Sequence, residues 1–365
     1  MKVISPMLKR VLYPCLSSAG WFDAQLEPSG FTAITYHGVF PEGYKVIDPD
    51  LDGGLIDAKT FRRQLRILKQ RYNVISPQQL RVSLQDGKPL PSGSVLLTCD
   101  DGLVNHATEM LPTLQEEGLA CLFFVTAASV QEDAQLMWYD ELYLMMMEVP
   151  MQQFAKAIRE VVGLEVRTKA GRRSLWAQVL KVLSGRTLGD LRQIVRQLRG
   201  RVGLSDEWRA AYLNDPVLRR RFQLLNREEV KALASAGMTI GSHTISHPML
   251  SHISAERARE EMGESRRMLE EALGRPVWAL AYPYGEGTSV DTREFRLAEE
   301  AGYCCAFMNV DSRHGEDVQR FAMPRVHVTR NMSMAEFEAH ICGYHARLRL
   351  RFAQLRAATA SGGAH

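Results

Sequence analysis

Four short stretches of this 365-residue chain carry side chains able to do chemistry, and each follows an apolar run. The first is Asp100-Asp101-Gly102, directly after Val95-Leu96-Leu97-Thr98-Cys99. Two adjacent carboxylates at a strand's end repel each other and lose solvation, a combination that a cation or a shared proton relieves. Asp-Gly is also a common turn and Asp a common helix cap, so both readings stand on this piece alone. The second is His243-Thr244-Ile245-Ser246-His247, after Met238–Ser242. Histidines four apart can face one way on a helical turn, and neutral imidazole is a common zinc ligand; the same pair also occurs as packing or capping residues. Two imidazoles and one carboxylate would hold a divalent ion with positions open for water and substrate. The second carboxylate would then be free to take a proton from that water.

The third stretch is Ala281-Tyr282-Pro283-Tyr284-Gly285. Pro283 removes one backbone donor and stiffens the turn, leaving the Tyr284 N–H able to point into a site and stabilise an oxyanion; Pro-Tyr-Gly alone is also an ordinary turn. The fourth is Tyr36-His37-Gly38, where a histidine at a strand's end could protonate an amine leaving group or simply sit hydrogen-bonded at a rim.

The surrounding pattern supplies the elements that would position these groups. Apolar strands are expected at 31–36, 74–75, 95–98, 121–126, 238–242, 277–282, 303–308 and near 325–329. Amphipathic helices are expected at 60–70, 77–84, 106–117, 227–236, 255–273 and 292–301. Asn226 with Glu229 three residues on reads as a capping box, with Gly237 as the stop. Strands alternating with helices imply a mostly parallel sheet, and seven or eight such units suggest a barrel with its chemistry where strands end. About a hundred residues between the 126 and 227 boundaries lack strand signals. That is too long for a loop, so a helical insertion over 138–225 is expected, with helices at 152–162, 174–183, 188–198 and 206–212 and a core drawing on Trp138, Trp176 and Trp208. Residues 1–26 read as an amphipathic helical segment that docks on the body or lies on a membrane surface, 27–356 as the catalytic domain, and the Ala/Gly/Ser-rich 357–365 as a flexible tail.

Composition is that of an ordinary globular protein: 45% hydrophobic, 24% charged, net charge +3. The near balance argues against a nucleic-acid partner. It conceals a segment, 151–225, with 16 Lys/Arg against 6 Asp/Glu, so that this stretch carries +10 and the remainder −7. That excess reads either as a solvated helical face or as a surface recruiting an anionic glycan, a lipid pyrophosphate or a membrane through Arg219, Arg220 and Arg221. The six cysteines show no CxxC spacing and read as buried thiols of a reducing compartment. Lys9 and Arg10 interrupt the amino-terminal apolar run, which argues against a secretory signal, and no eighteen-residue apolar window exists. A cytoplasmic location, with peripheral membrane contact through 1–26 or the basic insertion, is the expectation.

Together the four stretches resemble one family, the NodB-homology polysaccharide deacetylases, carbohydrate esterases that remove N-acetyl groups from amino sugars. Thr98-Cys99-Asp100-Asp101-Gly102 is similar to its Thr-Phe-Asp-Asp-Gly motif, with Cys99 in place of the aromatic. His243–His247 is similar to its His-Ser/Thr-x-x-His motif, and Ala281–Gly285 to its Pro-Tyr-Gly loop. The resemblance implies a distorted (β/α) barrel, with Asp100 as base, Asp101, His243 and His247 as ligands of a divalent metal (zinc, with cobalt or nickel as alternatives), and Tyr284 giving an oxyanion amide. Two features depart from the pattern. The arginine that many members keep three residues before the motif tyrosine is Ala281 here, with Arg325 as the candidate substitute. The carboxy-terminal Leu-x-His of typical members is not evident. The Tyr36-His37 start resembles members with permuted motif order, which implies His37 as general acid, with His327 as the alternative; Asp311 either supports the site or is a loop residue.

The implied activity is metal-dependent hydrolysis of the N-acetyl group of an amino sugar such as N-acetylglucosamine, in a cell-envelope or exopolysaccharide glycan or its anionic or lipid-linked precursor. Deformylation of a lipid-linked sugar or opening of a cyclic ureide would use the same groups. A catalytically silent glycan-binding module is the reading from a different class.

Overall fold

The computed structural model describes residues 6–22, 31–131, 136–169, 171–310 and 319–361. Helix α1 (Pro6–Ser18) comes first, followed by β1 (Phe31–Tyr36), α2 (Ala58–Arg71), β2 (Asn73–Ile75), α3 (Pro77–Asp86) and β3 (Ser94–Cys99). A turn of π-helix over His106–Met110 leads into α4 (Leu111–Glu117) and β4 (Leu122–Val125). Six helices intervene: α5 (Trp138–Glu148), α6 (Met151–Val162), α7 (Arg172–Leu183), α8 (Leu188–Arg201), α9 (Asp206–Asn214) and α10 (Pro216–Phe222). The alternation then resumes with α11 (Arg227–Ser235), β5 (Thr239–Ser242), α12 (Ala255–Leu273), β6 (Ala279–Ala281), α13 (Thr292–Glu300), β7 (Cys305–Phe307) and β8 (Arg325–His327). Helices α14 (Met334–Ile341) and α15 (Tyr344–Ser361) follow.

The strands form one parallel sheet in the order β7-β6-β5-β4-β3-β1-β8, with β2 also paired to β3. Strand β2 takes the first half of one β3 edge, at Ser94 to Leu96, and β4 takes the second half, at Thr98 and Cys99. That shared edge distorts the barrel. The chain entering β8 nearly closes it, because Met323 N–H donates to Ala306 (2.9 Å) and Met308 N–H to Met323 (2.7 Å). Strands β1, β3 and β4 are buried along their whole length, as expected of a sheet covered on both faces. Gly241 lets β4 and β5 approach, since a Cβ there would stand 2.6 Å from the Phe124 ring.

Capping decides the helix ends. Asn226 and Glu229 exchange both bonds of a capping box at α11, and α12 is capped by Ser254 and closed by Gly274 in the left-handed region. The inserted helices bury their own core of Phe154, Ile158, Leu175, Val179, Leu183 and Leu198, against which Trp176 and Trp208 pack while Trp138 is buried within it.

The basic character of the insertion has a structural use that corrects one expectation. Arg221 is buried, and its Nε donates to Asp52 of the barrel at 2.8 Å, with Asp140 3.5 Å from Nη1. Arg220 pairs with Glu109 (2.6 Å) and Arg219 with Glu229 (2.8 Å). These three arginines fasten α10 to the barrel and are not a free anion-seeking face. The exit of the insertion lies against the end of β3, where Leu225 N–H donates to Gly102 at 2.7 Å.

Helix α1 docks on the body: Tyr13 hydroxyl meets His345 Nδ1 at 2.7 Å, Ser17 donates to Glu338 at 2.6 Å, and Lys9 pairs with Glu336. Cys99, Cys121, Cys305 and Cys342 are buried, but Cys15 is exposed on α1, contrary to the expectation of six buried thiols. Helix α15 runs to Ser361, past the expected start of the tail, because Ala357, Ala358 and Ala360 favour helix; 362–365 lie outside the described residues. Among the described residues no helix is long and apolar enough to cross a membrane.

Candidate active site

The carboxyl ends of β1, β3, β5, β6 and β8 meet around a cleft of about 470 Å³ lined by His37, Asp100, Asp101, His243, His247 and Tyr284, among others. Every non-glycine residue with positive φ among the described residues lies in these loops: Asp101 (83°), Thr244 (64°), His247 (58°) and Tyr284 (61°). Such conformations cost ~1 kcal/mol or more each and persist where surrounding contacts over-determine them.

Asp101 Oδ1 lies 3.6 Å from His243 Nε2 and 3.5 Å from His247 Nε2, and one ligand atom from each of the three residues lies within 4.8 Å of the others. His243 Nδ1 is 2.8 Å from the Ala281 carbonyl. A carbonyl only accepts, so Nδ1 carries the proton and Nε2 presents its lone pair to the carboxylate. Acceptors converging in this way fit a divalent cation between them, and the backbone-fixed tautomer is the usual support for a metal-ligating histidine. Burial lifts Asp101 to about 6 against the pull of His243, with the Asp100 charge adding to the rise. Burial, with His243, lowers His247 well below the usual range, so its imidazole is neutral.

The loop bearing both histidines is anchored by Glu261, fully buried on α12. Its carboxylate accepts from Ile245 N–H (2.9 Å), Ser246 N–H (3.0 Å) and Ser246 Oγ (2.6 Å), and Arg257 balances its charge at 2.6 Å. Sequence reasoning missed Glu261, although an acid on the stripe Ala258, Met262, Ser265, Leu269 was a signal. Trp138 adds a bond from its indole N–H to the Ser246 carbonyl at 3.0 Å.

Asp100 is gripped by Arg325, whose Nη1 and Nη2 each donate to one carboxylate oxygen at 2.6 Å. Arg325 is fully buried, and its Nε donates to the Met308 carbonyl at 3.1 Å. Burial pushes the Asp100 carboxyl up, but Arg325, with His243 and His37 beyond, overrides it and holds the group well below its usual range. The cation expected three residues before Tyr284 is thus supplied from β8, while the Ala281 backbone serves His243.

His37 and His327 sit side by side, ring centres 4.6 Å apart, and both line the cleft. His37 Nδ1 and His327 Nε2 are buried without a hydrogen-bond partner. Burial lowers both imidazoles, His327 to about 3, with the neighbouring ring contributing to that fall. Among the described residues no acceptor engages the Tyr284 N–H, and Gly285 beside it, at φ 63°, tolerates no Cβ because Asn309 N would stand 2.4 Å away. The insertion adds a wall that sequence reasoning did not foresee, of Tyr139, Asp140, Tyr143 and Trp176. Asp311 lies outside the described residues.

Residues 206–306 match the family model of the polysaccharide deacetylases, a span that includes both histidines and the Tyr284 loop. That matched stretch, a little over a quarter of the chain, is similar to the polysaccharide deacetylases. YxkH of Bacillus subtilis, which its name gives as a polysaccharide deacetylase, is 27% identical over 117 residues, covering 32% of this chain and 41% of that protein. The poly-beta-1,6-N-acetyl-D-glucosamine N-deacetylase of Escherichia coli is 34% identical over 90 residues, 24% of this chain and 12% of that protein. The chain therefore matches less than half the length of either relative. Among solved structures, the deacetylase PplD of Streptococcus pyogenes aligns with a TM-score of 0.53 at 15% identity, covering 86% of this chain and 99% of that one. IcaB from Ammonifex degensii aligns with a TM-score of 0.52 at 18% identity, covering 86% and 97%. At these identities the likeness shows a shared fold.

Proposed function

We propose that this protein is a polysaccharide deacetylase that hydrolyses the N-acetyl group of an amino sugar in an exopolysaccharide or cell-envelope glycan, or in its precursor. The observation that carries the reading is the juxtaposition of a buried Asp101-His243-His247 cluster with a second carboxylate, Asp100, held ionised by Arg325. The similarity to the Escherichia coli poly-N-acetylglucosamine deacetylase supports the amino-sugar substrate.

Asp101, His243 and His247 would hold a divalent cation, zinc foremost with cobalt or nickel as alternatives, which when bound supplies Lewis acidity to the acyl oxygen and to water. Asp100 accepts the proton of the attacking water, and Arg325 keeps it charged and aimed. The Tyr284 N–H donates to the oxyanion of the tetrahedral species. His37 delivers a proton to the departing sugar nitrogen, with His327 next to it as the alternative donor, so that the C–N bond breaks to give acetate and a free amine. Trp176 and Tyr143 offer ring faces to a sugar in the cleft.

Acetate release from N-acetylglucosamine oligomers by protein supplied with zinc, cobalt or nickel tests the reading. No acetate from any N-acetylated mono-, oligo- or lipid-linked saccharide with any of these ions would overturn it.

A further inference from the structure

Asp140 stands in the first turn of α5, so the insertion puts a carboxylate of its own into the cleft. The residue is 5% exposed. Arg221 lies between it and Asp52 and serves the two unequally. Asp52 is saturated, accepting from Arg221 Nε (2.8 Å), the Tyr44 hydroxyl (2.9 Å) and Ile47 N–H (3.0 Å), and Arg221 Nη2 donates to the Leu51 carbonyl at 3.0 Å. Asp140 receives a single contact of 3.5 Å, from Nη1 to Oδ2, at the limit of hydrogen-bond range; its Oδ1 accepts from no group among the described residues. Glu141 beside it is fully engaged by Arg199 (2.7 Å) and Arg209 (3.2 Å). A buried carboxylate with most of its acceptor capacity unused is costly, and on the wall of a cleft the missing donors come from outside the chain.

A second feature of the same wall points to what those donors belong to. Trp176 of α7 lines the cleft half-buried, and the Tyr143 ring meets it edge-on, centres 5.1 Å apart at 83°. Tyr143 is itself fixed through its hydroxyl, which donates to Asp48 at 2.9 Å, so the aromatic surface is held in place. Leu51 and Leu180 continue the apolar side. The Tyr139 ring, one residue before Asp140, lies 5.1 Å from that of His247, which sets this wall next to the Asp101-His243-His247 cluster.

We propose that Asp140 and Trp176 form a sugar-binding subsite contributed by the insertion, in which Asp140 accepts from ring hydroxyls of a glycan whose apolar C–H face rests on Trp176. The proposal rests on the amino-sugar reading above and names the part of the chain that selects the substrate. An ionised carboxylate only accepts, so its occupant must bring O–H or N–H donors; hydroxyls on adjacent ring carbons reach both oxygens, and such bonds are charge-assisted. A pyranose carries those hydroxyls at its rim and C–H groups on its faces, which matches an acceptor set beside an aromatic surface. Arg221 is then a positioning residue, since it fixes Asp140 without satisfying it.

Calorimetric titration of the full chain with N-acetylglucosamine oligomers, after treatment with a chelator so that turnover does not intervene, tests the subsite. We expect saturable binding that weakens about tenfold or more in Asp140→Asn, which keeps the shape but exchanges an acceptor oxygen for a donor, and likewise in Trp176→Ala. Trp176→Phe, which keeps a ring at this half-buried position, should retain more of the affinity than Trp176→Ala. No saturable binding of any oligomer, or native affinity in either Asp140→Asn or Trp176→Ala, would overturn the proposal. The readout does not depend on deacetylation. Acetate release by a protein whose oligomer affinity ignores both substitutions would remove the subsite alone, whereas binding that both substitutions weaken, with no acetate released under any ion, would keep the subsite and overturn the activity.

Discussion

Arg325 on β8 reaches across β1 to clamp both oxygens of Asp100 at the end of β3. The contact is bidentate, fully buried and flanked by the Phe124 and Phe307 rings, so the guanidinium is the main group that offsets the desolvation of that carboxylate, with His243 and His37 adding to it. Arg325→Lys keeps the charge and loses the fork. Asp100 should then rise toward ordinary carboxylate values, because burial is no longer fully opposed. A base must be ionised, so the acid limb of the kcat/KM profile should move to higher pH. Turnover at neutral pH should fall by ~10²-fold. A pH profile that superimposes on that of the native enzyme would refute the positioning role.

Asp101→Ala and His243→Ala should each abolish stoichiometric metal binding together with acetate release. Asp100→Asn should bind metal normally and lose turnover by ~10³-fold or more. Metal content by mass spectrometry, read beside acetate release, separates ligand from base. Near-native turnover in Asp100→Asn would remove the base assignment.

His37 and His327 are adjacent, and a leaving-group test distinguishes them. Replacement of the true general acid by Ala should cost ~10²-fold on a glycosyl acetamide and far less on an aryl acetamide with an activated amine. Replacement of the bystander should scale both substrates equally. We expect the substrate-dependent loss at His37.

Arg221 offers a stability prediction. Arg221→Leu leaves Asp52 and Asp140 buried without their cation, which should cost ~3–5 kcal/mol of unfolding free energy. Urea denaturation measures this directly, and a loss under ~1 kcal/mol would mean that the pairing is not what fastens α10 to the barrel.

Asp140 carries a pH signature. Burial lifts its carboxyl to about 6 in the fold, despite the opposing pull of Arg221, with Asp101 and Asp52 adding to the rise. An acid whose folded value is raised binds more protons folded than unfolded, so its contribution to stability falls as pH climbs from about 4 to about 6 and is flat above. In chelator-treated protein, Asp140→Asn should lack this loss, and the difference in Tm should shift in the variant's favour across that window. A difference independent of pH would contradict the raised value.

The barrel was legible because its signals are local. Strands such as Val95–Thr98 are continuous apolar runs, and the capping box at Asn226 and the stop at Gly237 mark an element's ends without reference to anything distant. The grouping of Asp101, His243 and His247 was legible for the same reason, since His243 and His247 share one loop and Asp101 ends one strand. Arg325 was harder. Its charge was visible, but that it faces Asp100 depends on β8 pairing with β1, a relation no local pattern encodes. The same limit hid Glu261, the Trp138 bond to Ser246 and the fate of Arg219, Arg220 and Arg221, whose partners lie ten or more residues away and mostly in other elements. Helices α5 and α10 were missed because the first is apolar on nearly every side and the second is two turns long.

The Asp100–Arg325 clamp also orders events in time. The two residues are 225 positions apart, and β8 is the last of the described strands to leave the ribosome. Until it arrives, Asp101, His243 and His247 can come together from the ends of β3 and β5, while the neighbouring carboxylate is an uncompensated charge that resists being buried. Closure of the final seam is therefore the event that brings the Asp101-His243-His247 cluster together with a charge-compensated Asp100.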